Sequence, residues 1–342
     1  MDEVVHKLEL REQQPTPLAD RVAAQPSLLE NVTMHYYQLA GLQWLLRKHE
    51  QGLNPILGDE MGLGKTLQVI SFVAALEAIN QEQKKSRRSQ YLVVAPLSVL
   101  PNWMEQFEQF APSVSTVMYI GPAKDREATQ KVIAASPQVQ PLVVVTSYEM
   151  LLFDCEFFGK TNWALIVMDE GHRLKNPKGR LHNIVSTKLR SRCMVILTGT
   201  PIQNDLEELF ALLSILNPSV FNDQELFEKT FRDYFSAKVQ RLDQDERGKS
   251  KRLCKAEELM RRLLAPLLLL RTVQDVQGAF TLPPLSEMVV HTPMSPMQRA
   301  YYKEVIAKNA DVLNGAAKAR GSRYTACVWR VLHPYANFML EL

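Results

Sequence analysis

The segment GDEMGLGKT (58–66) decides the fold of this 342-residue chain. It follows a short apolar run, PIL (55–57), and precedes LQVISFVAALEAI (67–79), whose apolar residues recur at helical spacing. A strand, a glycine-containing loop and a helix in this order are typical of a phosphate-binding loop. The alternative is a glycine-rich turn that precedes a helix by chance. We predict an α/β fold with a phosphate-binding loop between strand and helix.

Each residue type in this loop suits contact with a phosphate. Gly62 and Gly64 allow the backbone to curl, so that its N–H groups face phosphate oxygens at a helix N-terminus. Lys65 is expected to contact the β- and γ-phosphates, and the Thr66 hydroxyl to ligate Mg²⁺. A strict GxxxxGK[ST] pattern has glycine where this chain has Asp59, which we group with the nucleotide-binding residues of the loop.

Five further runs, rich in β-branched residues, alternate with amphipathic stretches. Such short, nearly unbroken apolar strands suit a parallel sheet that is covered on both faces. Helical spacing recurs in residues 99–111 and 206–216. The pattern predicts a doubly wound βαβ architecture. The strand candidates are YLVVA (91–95), VSTVMYI (114–120), LVVVT (142–146), ALIVM (164–168) and CMVILT (193–198).

Two more motifs follow strand candidates directly. In DEGH (169–172), Asp169 can hold Mg²⁺ and Glu170 can orient or deprotonate the attacking water. In LTGTPIQN (197–204), the hydroxyls of Thr198 and Thr200 suit the γ-phosphate region, and Gly199 permits a tight turn. Either motif alone is also compatible with a solvated turn. Because ligands bind at the carboxyl ends of parallel strands, we expect both motifs at one nucleotide site.

Composition indicates an ordinary globular protein, with 46% hydrophobic and 23% charged residues. The formal net charge of +3 is too small to indicate a nucleic-acid ligand by itself. The four cysteines form no CxxC pair, so we expect reduced thiols and neither a zinc site nor disulfides. The chain has no segment resembling a signal peptide or a membrane span. These features predict an intracellular protein without a membrane partner.

Composition also divides the chain into four segments. Residues 1–32 carry three prolines and mixed charge, and are interpreted as an extension or linker. Residues 33–222 form the α/β lobe. Residues 223–280 are a helical insertion, whose charged centre QRLDQDERGKSKR (240–252) is interpreted as a loop between two helices. Residues 281–342 are expected to form a strand (281–293) and a mostly helical remainder, including a helix over 297–313.

Taken in order, five blocks resemble motifs I, Ia, Ib, II and III of the SWI/SNF-like ATPases of superfamily 2. The resemblance covers roughly residues 32–342, and it implies a RecA-like lobe that binds ATP and Mg²⁺. It further implies an ATP-dependent translocase on duplex DNA that remodels nucleosomes within a multi-subunit complex in the nucleus. The segment ending ADVLNGAAKA (310–319) resembles the imitation-switch branch. The five blocks are DEMGLGKT (59–66), VVAPLSVLPNW (93–103), VVTSYEML (144–151), MDEGHRLKN (168–176) and LTGTPIQN (197–204).

The resemblance also assigns roles to individual residues. Gln38 in YYQLAGLQWL (36–45) matches a glutamine that binds the adenine edge, which an amide can do with one donor and one acceptor. Lys65, Asp169 and Glu170 match the catalytic set. Residues that couple nucleotide to DNA are His172, Thr198, Gly199 and Thr200. Contacts to the DNA backbone, without reading of bases, are expected from Pro96, Ser98, Thr146, Ser147, Arg173, Lys175 and Asn176.

Three departures from the family pattern concern the segment between the lobes and the second lobe itself. This chain has APLLLLRT (265–272) in place of PFLLRR and VWRVLHPYANF (328–338) in place of QLRKxxNHPY, and it lacks the QxxxRxxRxGQ arginine-finger motif. Because arginine fingers accelerate hydrolysis by roughly 10³–10⁵, we expect this chain alone to bind ATP but to hydrolyse it poorly.

Three alternatives to this interpretation remain. The first is a strand-separating helicase of superfamily 2, and the second is a nucleotide-gated module that binds DNA or histones. The third is that the chain is a fragment of a longer enzyme. KKSRR (84–88) is interpreted as a solvated loop in preference to a nuclear import signal.

Overall fold

A computed structural model describes residues 1–22, 24–83, 89–135, 142–199, 206–240 and 251–276, together with 288, 292–299 and 302–303. The chain divides into two units, Met1–Thr281 and Leu282–Leu342. Most described residues belong to the first unit. The predicted strand (281–293) and helix (297–313) of the second unit lie mostly outside the described residues, of which 296–299 are helical.

Within the described residues, seven strands form one wholly parallel sheet. The strands in chain order are β1 (Ile56–Leu57), β2 (Gln90–Ala95), β3 (Ser115–Tyr119), β4 (Leu142–Ser147), β5 (Asn162–Trp163), β6 (Leu165–Met168), β7 (Arg190–Ser191), β8 (Met194–Leu197) and β9 (Leu268–Leu269). Their order in the sheet is β3-β4-β2-β6-β8-β1-β9, and β5 pairs with β7 separately. The five predicted runs match β2, β3, β4, β6 and β8 to within one residue at either end, which confirms the parallel α/β fold.

Helices cover both faces of this sheet, because alternate strand residues point to opposite sides. Leu92 and Val94 belong to one apolar core, whereas Tyr91 and Val93 belong to the other. The first core also contains buried residues of α1 and of α7 to α12, and the second those of α3, α4 and α5. The helices are α1 (Asp2–Glu12), α2 (Pro17–Arg21), α3 (Tyr36–Glu50), α4 (Lys65–Glu82), α5 (Leu100–Phe110), α6 (Ala123–Ala135), α7 (Tyr148–Phe153), α8 (Cys155–Lys160), α9 (Arg180–Thr187), α10 (Leu206–Leu216), α11 (Gln224–Gln240) and α12 (Lys251–Leu264).

The N-terminal segment contains two helices that the sequence analysis did not predict. Val5 and Leu8 of α1 are fully buried in the first core, beside residues of α12. At the start of α2, the Glu50 carboxylate accepts hydrogen bonds from the backbone N–H groups of Leu18 (3.0 Å) and Ala19 (2.9 Å). Since α1 buries only two side chains, its apolar pattern is too sparse to be recognised as periodic.

The predicted helical insertion contains α11 and α12, but the chain then returns to the sheet. Most of its charged centre (240–252), namely residues 241–250, lies outside the described residues. Leu268 and Leu269 form β9, which pairs in parallel with Ile56 and Leu57 of β1. A two-residue strand gives no periodic signal, so the sequence did not indicate it. None of the described helices combines the length and the apolar character needed to cross a membrane.

The packing of α1 predicts unequal effects of two substitutions on that helix. Leu8 is 0% exposed and Leu10 is 51% exposed. Leu8→Ala should lower the free energy of unfolding by about 2–5 kcal/mol, because it leaves a cavity in the core. Leu10→Ala should change it by less than about 0.5 kcal/mol. Urea denaturation of both variants checks this expectation, and equal midpoints would contradict the packing of α1.

Candidate nucleotide-binding site

The phosphate-binding loop and the two other motifs lie at the carboxyl ends of three neighbouring strands. The loop follows β1, DEGH follows β6, and LTGT follows β8, which lies between them in the sheet. Backbone hydrogen bonds continue past the strand ends, from Thr198 N–H to Leu57 O (3.2 Å) and from Asp169 N–H to Val94 O (2.8 Å). Sheet topology therefore brings together the three motifs that the sequence analysis selected.

The loop has the backbone curvature that its glycines predict. Gly62 has φ 89° and Gly64 has φ 76°, both in the left-handed region that favours glycine, and α4 begins directly after Gly64. The Lys65 ammonium folds back and donates hydrogen bonds to the backbone carbonyls of Asp59 (2.6 Å) and Glu60 (3.3 Å). An incoming phosphate would compete with these carbonyls for Lys65.

Lys65 also lies within the electrostatic field of the DEGH motif. Burial lowers the pKa of the Lys65 ammonium, whereas the negative charges of Asp59, Glu170 and Asp169 act to raise it. Because Asp169 and Glu170 follow another strand of the same sheet edge, topology brings the acidic pair close enough to Lys65 to act on its charge. That arrangement is required if one phosphate chain and one metal ion are to contact both motifs.

Asp169 is held in a defined orientation. Burial raises the pKa of its carboxyl group, and hydrogen bonds oppose that effect. The Trp103 indole N–H donates to Oδ2 (2.9 Å) and the Glu170 backbone N–H donates to Oδ1 (2.9 Å). Each carboxylate oxygen therefore keeps a lone pair that can ligate a metal ion. The hydroxyl oxygen of half-buried Thr66 is a further candidate ligand. Oxygen donors of this kind fit Mg²⁺.

Glu170 adopts an unusual backbone conformation at the predicted water-activating position. Its φ of 52° lies in the left-handed region, which costs a non-glycine residue about 1–3 kcal/mol. The carboxylate is partly exposed and lies 3.3 Å from Nδ1 of His172. His172, which the carboxylate contacts, is one of the residues predicted to couple nucleotide to DNA.

Gln38 lies against the phosphate-binding loop, but its amide already has partners. The backbone N–H of His35 donates to its Oε1 (3.0 Å), and its Nε2 donates to Leu63 O (3.3 Å). The first bond caps α3, and the second fixes the loop. The amide retains one N–H and one acceptor lone pair for a ligand. Binding of adenine by Gln38 remains a prediction.

The Asp59 side chain connects the phosphate-binding loop to a segment much later in the chain. Its carboxylate is fully buried, with Arg271 donating from Nε to Oδ1 (2.9 Å) and from a terminal nitrogen to Oδ2 (2.5 Å). Gln68 donates to Oδ2 at 3.0 Å. A buried carboxylate needs such charged partners because desolvation is costly. Asp59 therefore supports the loop from behind, and its grouping with the nucleotide-binding residues stays a prediction.

Arg271 belongs to a segment that pairs with the whole loop. The N–H of Gly58 donates to Leu269 O (2.7 Å), and that of Glu60 donates to Arg271 O (2.8 Å). The N–H of Val273 donates to the Glu60 carboxylate at 2.6 Å. This ladder continues the β1–β9 pairing beyond the strands. In the sequence, Arg271 stands out only as part of the altered block APLLLLRT (265–272), and nothing there indicates its role at the loop.

The predicted DNA contacts divide into exposed and buried residues. Pro96 and Ser98 lie at the surface beside Leu97, and Asn176 is also exposed. Arg173 is partly exposed, pairs with Glu149 at 2.9 Å, and lies over the ring of Tyr148. These residues can be reached by a ligand.

Three of the predicted DNA contacts use their side chains inside the fold, so they are not available at the surface. The Thr146 hydroxyl donates to Tyr119 O (2.8 Å), and the Ser147 hydroxyl accepts from Met150 N–H (3.3 Å) at the start of α7. The buried Lys175 ammonium pairs with Glu208 at 2.9 Å. These three side chains are thus engaged within the fold, and contact of these residues with DNA stays a prediction. Residue type alone does not tell whether a strand-end hydroxyl points inward.

The third motif contacts the phosphate-binding loop through Gly199. A Cβ added at Gly199 would lie 3.3 Å from Cγ of Met61, so this glycine lies beside a side chain of the loop. Thr198 is buried between the strand ends. Thr200 and the KKSRR segment (84–88) lie outside the described residues. The described part of the third motif thus lies next to the phosphate-binding loop.

This sheet, with a phosphate-binding loop after β1 and an acidic pair after β6, defines a RecA-like α/β lobe. The sequence profile of the SNF2-related domain matches residues 37–333, and the chain belongs to that family.

Relatives and a solved structure are consistent with this assignment. The chain is 37% identical over 290 residues to the "Probable ATP-dependent DNA helicase CHR12" of Arabidopsis thaliana, covering 84% of this chain and 25% of the relative. It is 38% identical to the "Chromatin structure-remodeling complex subunit snf21" of Schizosaccharomyces pombe, covering 83% of this chain and 23% of the relative. The chain thus spans about a quarter of the length of these relatives. The "Sulfolobus solfataricus SWI2/SNF2 ATPase core in complex with dsDNA" superposes with a TM-score of 0.58 at 25% identity, covering 91% of this chain and 58% of that one.

The Asp59–Arg271 contact predicts a large loss of stability when the arginine is removed. The side chains of Asp59 and Arg271 are 0% and 14% exposed, whereas the Arg262 side chain, which pairs with Glu9, is 44% exposed. Arg271→Ala should lower the free energy of unfolding by about 3–5 kcal/mol, because it leaves a buried carboxylate unpaired. Arg262→Ala should cost at most about 1 kcal/mol. Chemical denaturation measures both, and equal losses would refute the buried pair.

Proposed function

We propose that this chain carries the ATP- and Mg²⁺-binding lobe of a DNA-dependent ATPase that translocates on duplex DNA and remodels nucleosomes. The observation that carries the proposal is the meeting of Lys65 with Asp169 and Glu170 at one edge of the sheet. Family membership supports it, as do the relatives whose names describe an ATP-dependent helicase and a subunit of a chromatin-remodelling complex.

The residues of the site divide the chemistry among them. Lys65 and the N–H groups at the start of α4 would bind the phosphates, and Asp169 with Thr66 would hold Mg²⁺. The metal supplies positive charge that offsets the charge on the transferred phosphoryl group. Glu170, which is partly exposed, would orient the attacking water and take up its proton. His172 adjoins Glu170 and would transmit changes there to the surface that follows it.

The exposed predicted contacts support a backbone-binding mode on DNA. Pro96, Ser98, Arg173 and Asn176 lie in the loops and 3₁₀ turns that follow strands of the sheet at its carboxyl edge. Hydroxyl, amide and guanidinium groups suit contact with phosphates without reading of the bases, as a motor that moves over any sequence requires. The Sulfolobus solfataricus ATPase core, which is described as a complex with double-stranded DNA, supports this choice of ligand.

We further propose nucleosomes with their histones as substrate, membership of a remodelling complex, and location in the nucleus. The name of the Schizosaccharomyces pombe relative, with its words chromatin and complex, supports these proposals. Placement in the imitation-switch branch is a further proposal that the relatives do not support, and the segment 310–319, which resembles that branch, lies outside the described residues. We also retain the proposed domain division into residues 1–32, 33–222, 223–280 and 281–342.

Strand separation is the second candidate activity, because the Arabidopsis thaliana relative is named a probable DNA helicase. A strand-displacement assay and a nucleosome-sliding assay on the full-length protein distinguish the two activities. Sliding without displacement would support translocation on intact duplex.

Two substitutions should separate nucleotide binding from hydrolysis. Lys65→Ala should weaken ATP binding roughly 10- to 100-fold, because it removes a charged contact to the phosphates. Glu170→Gln should leave ATP binding within about threefold and reduce turnover about 10²–10⁴-fold, because the carboxylate no longer takes up a proton. Equilibrium binding of ATP and release of phosphate, with and without duplex DNA, measure both effects.

The unmodified chain is the reference for these measurements, and we expect its own turnover to be slow. Wild-type affinity for ATP in Lys65→Ala would refute the proposed site. Undiminished turnover in Glu170→Gln would exclude Glu170 as the base.

A further inference from the structure

We propose that Trp103 and Tyr148 are positioning residues that hold Asp169 for Mg²⁺ and connect it to the two elements that follow β2 and β4. The inference rests on the proposed function, because it assigns Asp169 to the metal. Neither residue was among the predicted site residues, although both lie within the blocks that carry the family resemblance.

Trp103 fixes the Asp169 carboxylate from α5. Its side chain is buried, and its indole N–H donates to Oδ2 at 2.9 Å. An indole N–H can only donate a hydrogen bond, so the carboxylate oxygen is the acceptor. The other oxygen accepts from the Glu170 backbone N–H at 2.9 Å. Two donors on different oxygens fix the rotation of the carboxylate, so that the remaining lone pairs point in one defined direction.

Tyr148 fixes the backbone of the same residue from α7. Its buried hydroxyl donates to the carbonyl oxygen of Asp169 at 2.5 Å. The ring packs beneath the Arg173 guanidinium, whose carbon lies 5.2 Å from the ring centroid, and Arg173 pairs with Glu149. The Asp169 N–H donates to Val94 O at 2.8 Å. Asp169 is thus bonded at its N–H, at its carbonyl and at both carboxylate oxygens.

The two aromatic residues belong to elements that begin at the edge proposed to face DNA. A short 3₁₀ turn (Leu97–Val99) that contains exposed Leu97 and Ser98 leads directly into α5. Tyr148 is the first residue of α7 and contacts Arg173, one of the exposed candidates for DNA contact. Hydrogen bonds weaken steeply with misalignment, so a small shift of either helix changes how well Asp169 is held. Because coupling between two ligands is reciprocal, DNA and metal should each alter the binding of the other.

The test measures the affinity of the full chain for ADP in the presence of Mg²⁺ and in the presence of EDTA. The ratio of the affinity in Mg²⁺ to the affinity in EDTA isolates the contribution of the metal. Trp103→Phe and Tyr148→Phe keep an aromatic ring and remove one donor each. We expect each variant to lower the ratio about 3- to 30-fold, the range for a hydrogen bond to a charged or strongly polar group. Affinity in EDTA should stay within about twofold of the unmodified chain.

Two matched variants control for the loss of a buried donor elsewhere. The Trp163 indole donates to Phe158 O (3.0 Å), and the Tyr119 hydroxyl donates to Asp154 (2.8 Å). Trp163→Phe and Tyr119→Phe should therefore leave the ratio unchanged. Mg²⁺ added to the ADP-bound chain should change tryptophan fluorescence in Trp163→Phe but not in Trp103→Phe, because Trp103 contacts the metal-binding carboxylate.

Each other outcome has a distinct meaning. An unchanged ratio in Trp103→Phe and Tyr148→Phe, or an equal loss of affinity in Mg²⁺ and in EDTA, would overturn the positioning role. If the unmodified chain bound ADP no more tightly than Lys65→Ala does, the proposed function would be overturned instead. Duplex DNA should alter the ratio for the unmodified chain but not for a variant that carries both Trp103→Phe and Tyr148→Phe. An equal response of the two proteins would overturn the coupling.

Discussion

The buried pair between Asp59 and Arg271 is the interaction on which the phosphate-binding loop depends. β1 is only two residues long, so the strand itself holds the loop weakly. The pair joins positions 212 residues apart and draws residues 269–273 alongside the loop as a second ladder. A buried ion pair adds little net stability, because desolvation offsets much of the attraction. Its contribution here is to fix where the loop lies relative to the sheet.

With the loop fixed, electrostatics determine what the site can bind. The carboxylates of Asp59, Glu60, Asp169 and Glu170 all act electrostatically on Lys65. The Asp59 charge is already compensated by Arg271, so the uncompensated negative charge lies toward the DEGH motif. A nucleotide phosphate adds further negative charge beside these carboxylates. A divalent cation between the phosphates and Asp169 would offset that repulsion, which explains why nucleotide and metal should bind this site together.

The sequence was sufficient for those features that depend on local pattern and on topology. Runs of β-branched residues fall on β2, β4 and β6 because buried parallel strands must be apolar on both faces. The meeting of the motifs follows because parallel strands end at one edge. Side-chain direction is different, since it depends on packing between distant segments. Thr146 and Ser147 are typical ligands of phosphate by residue type, yet their hydroxyls bond to Tyr119 and Met150.

The residues that the sequence did not reveal have one property in common: they act on the motifs from outside them. Arg271 fixes Asp59 behind the loop, and Trp103 and Tyr148 fix Asp169 beside it. For a lone arginine after an apolar run, or an indole in an amphipathic helix, the spacing of residues in the sequence does not identify the partner. Both halves of the site therefore depend on buried polar bonds from neighbouring elements. A chain could keep GKT and DEGH and lose these supports, and it would then present the right groups without the geometry that a phosphate and a metal ion require.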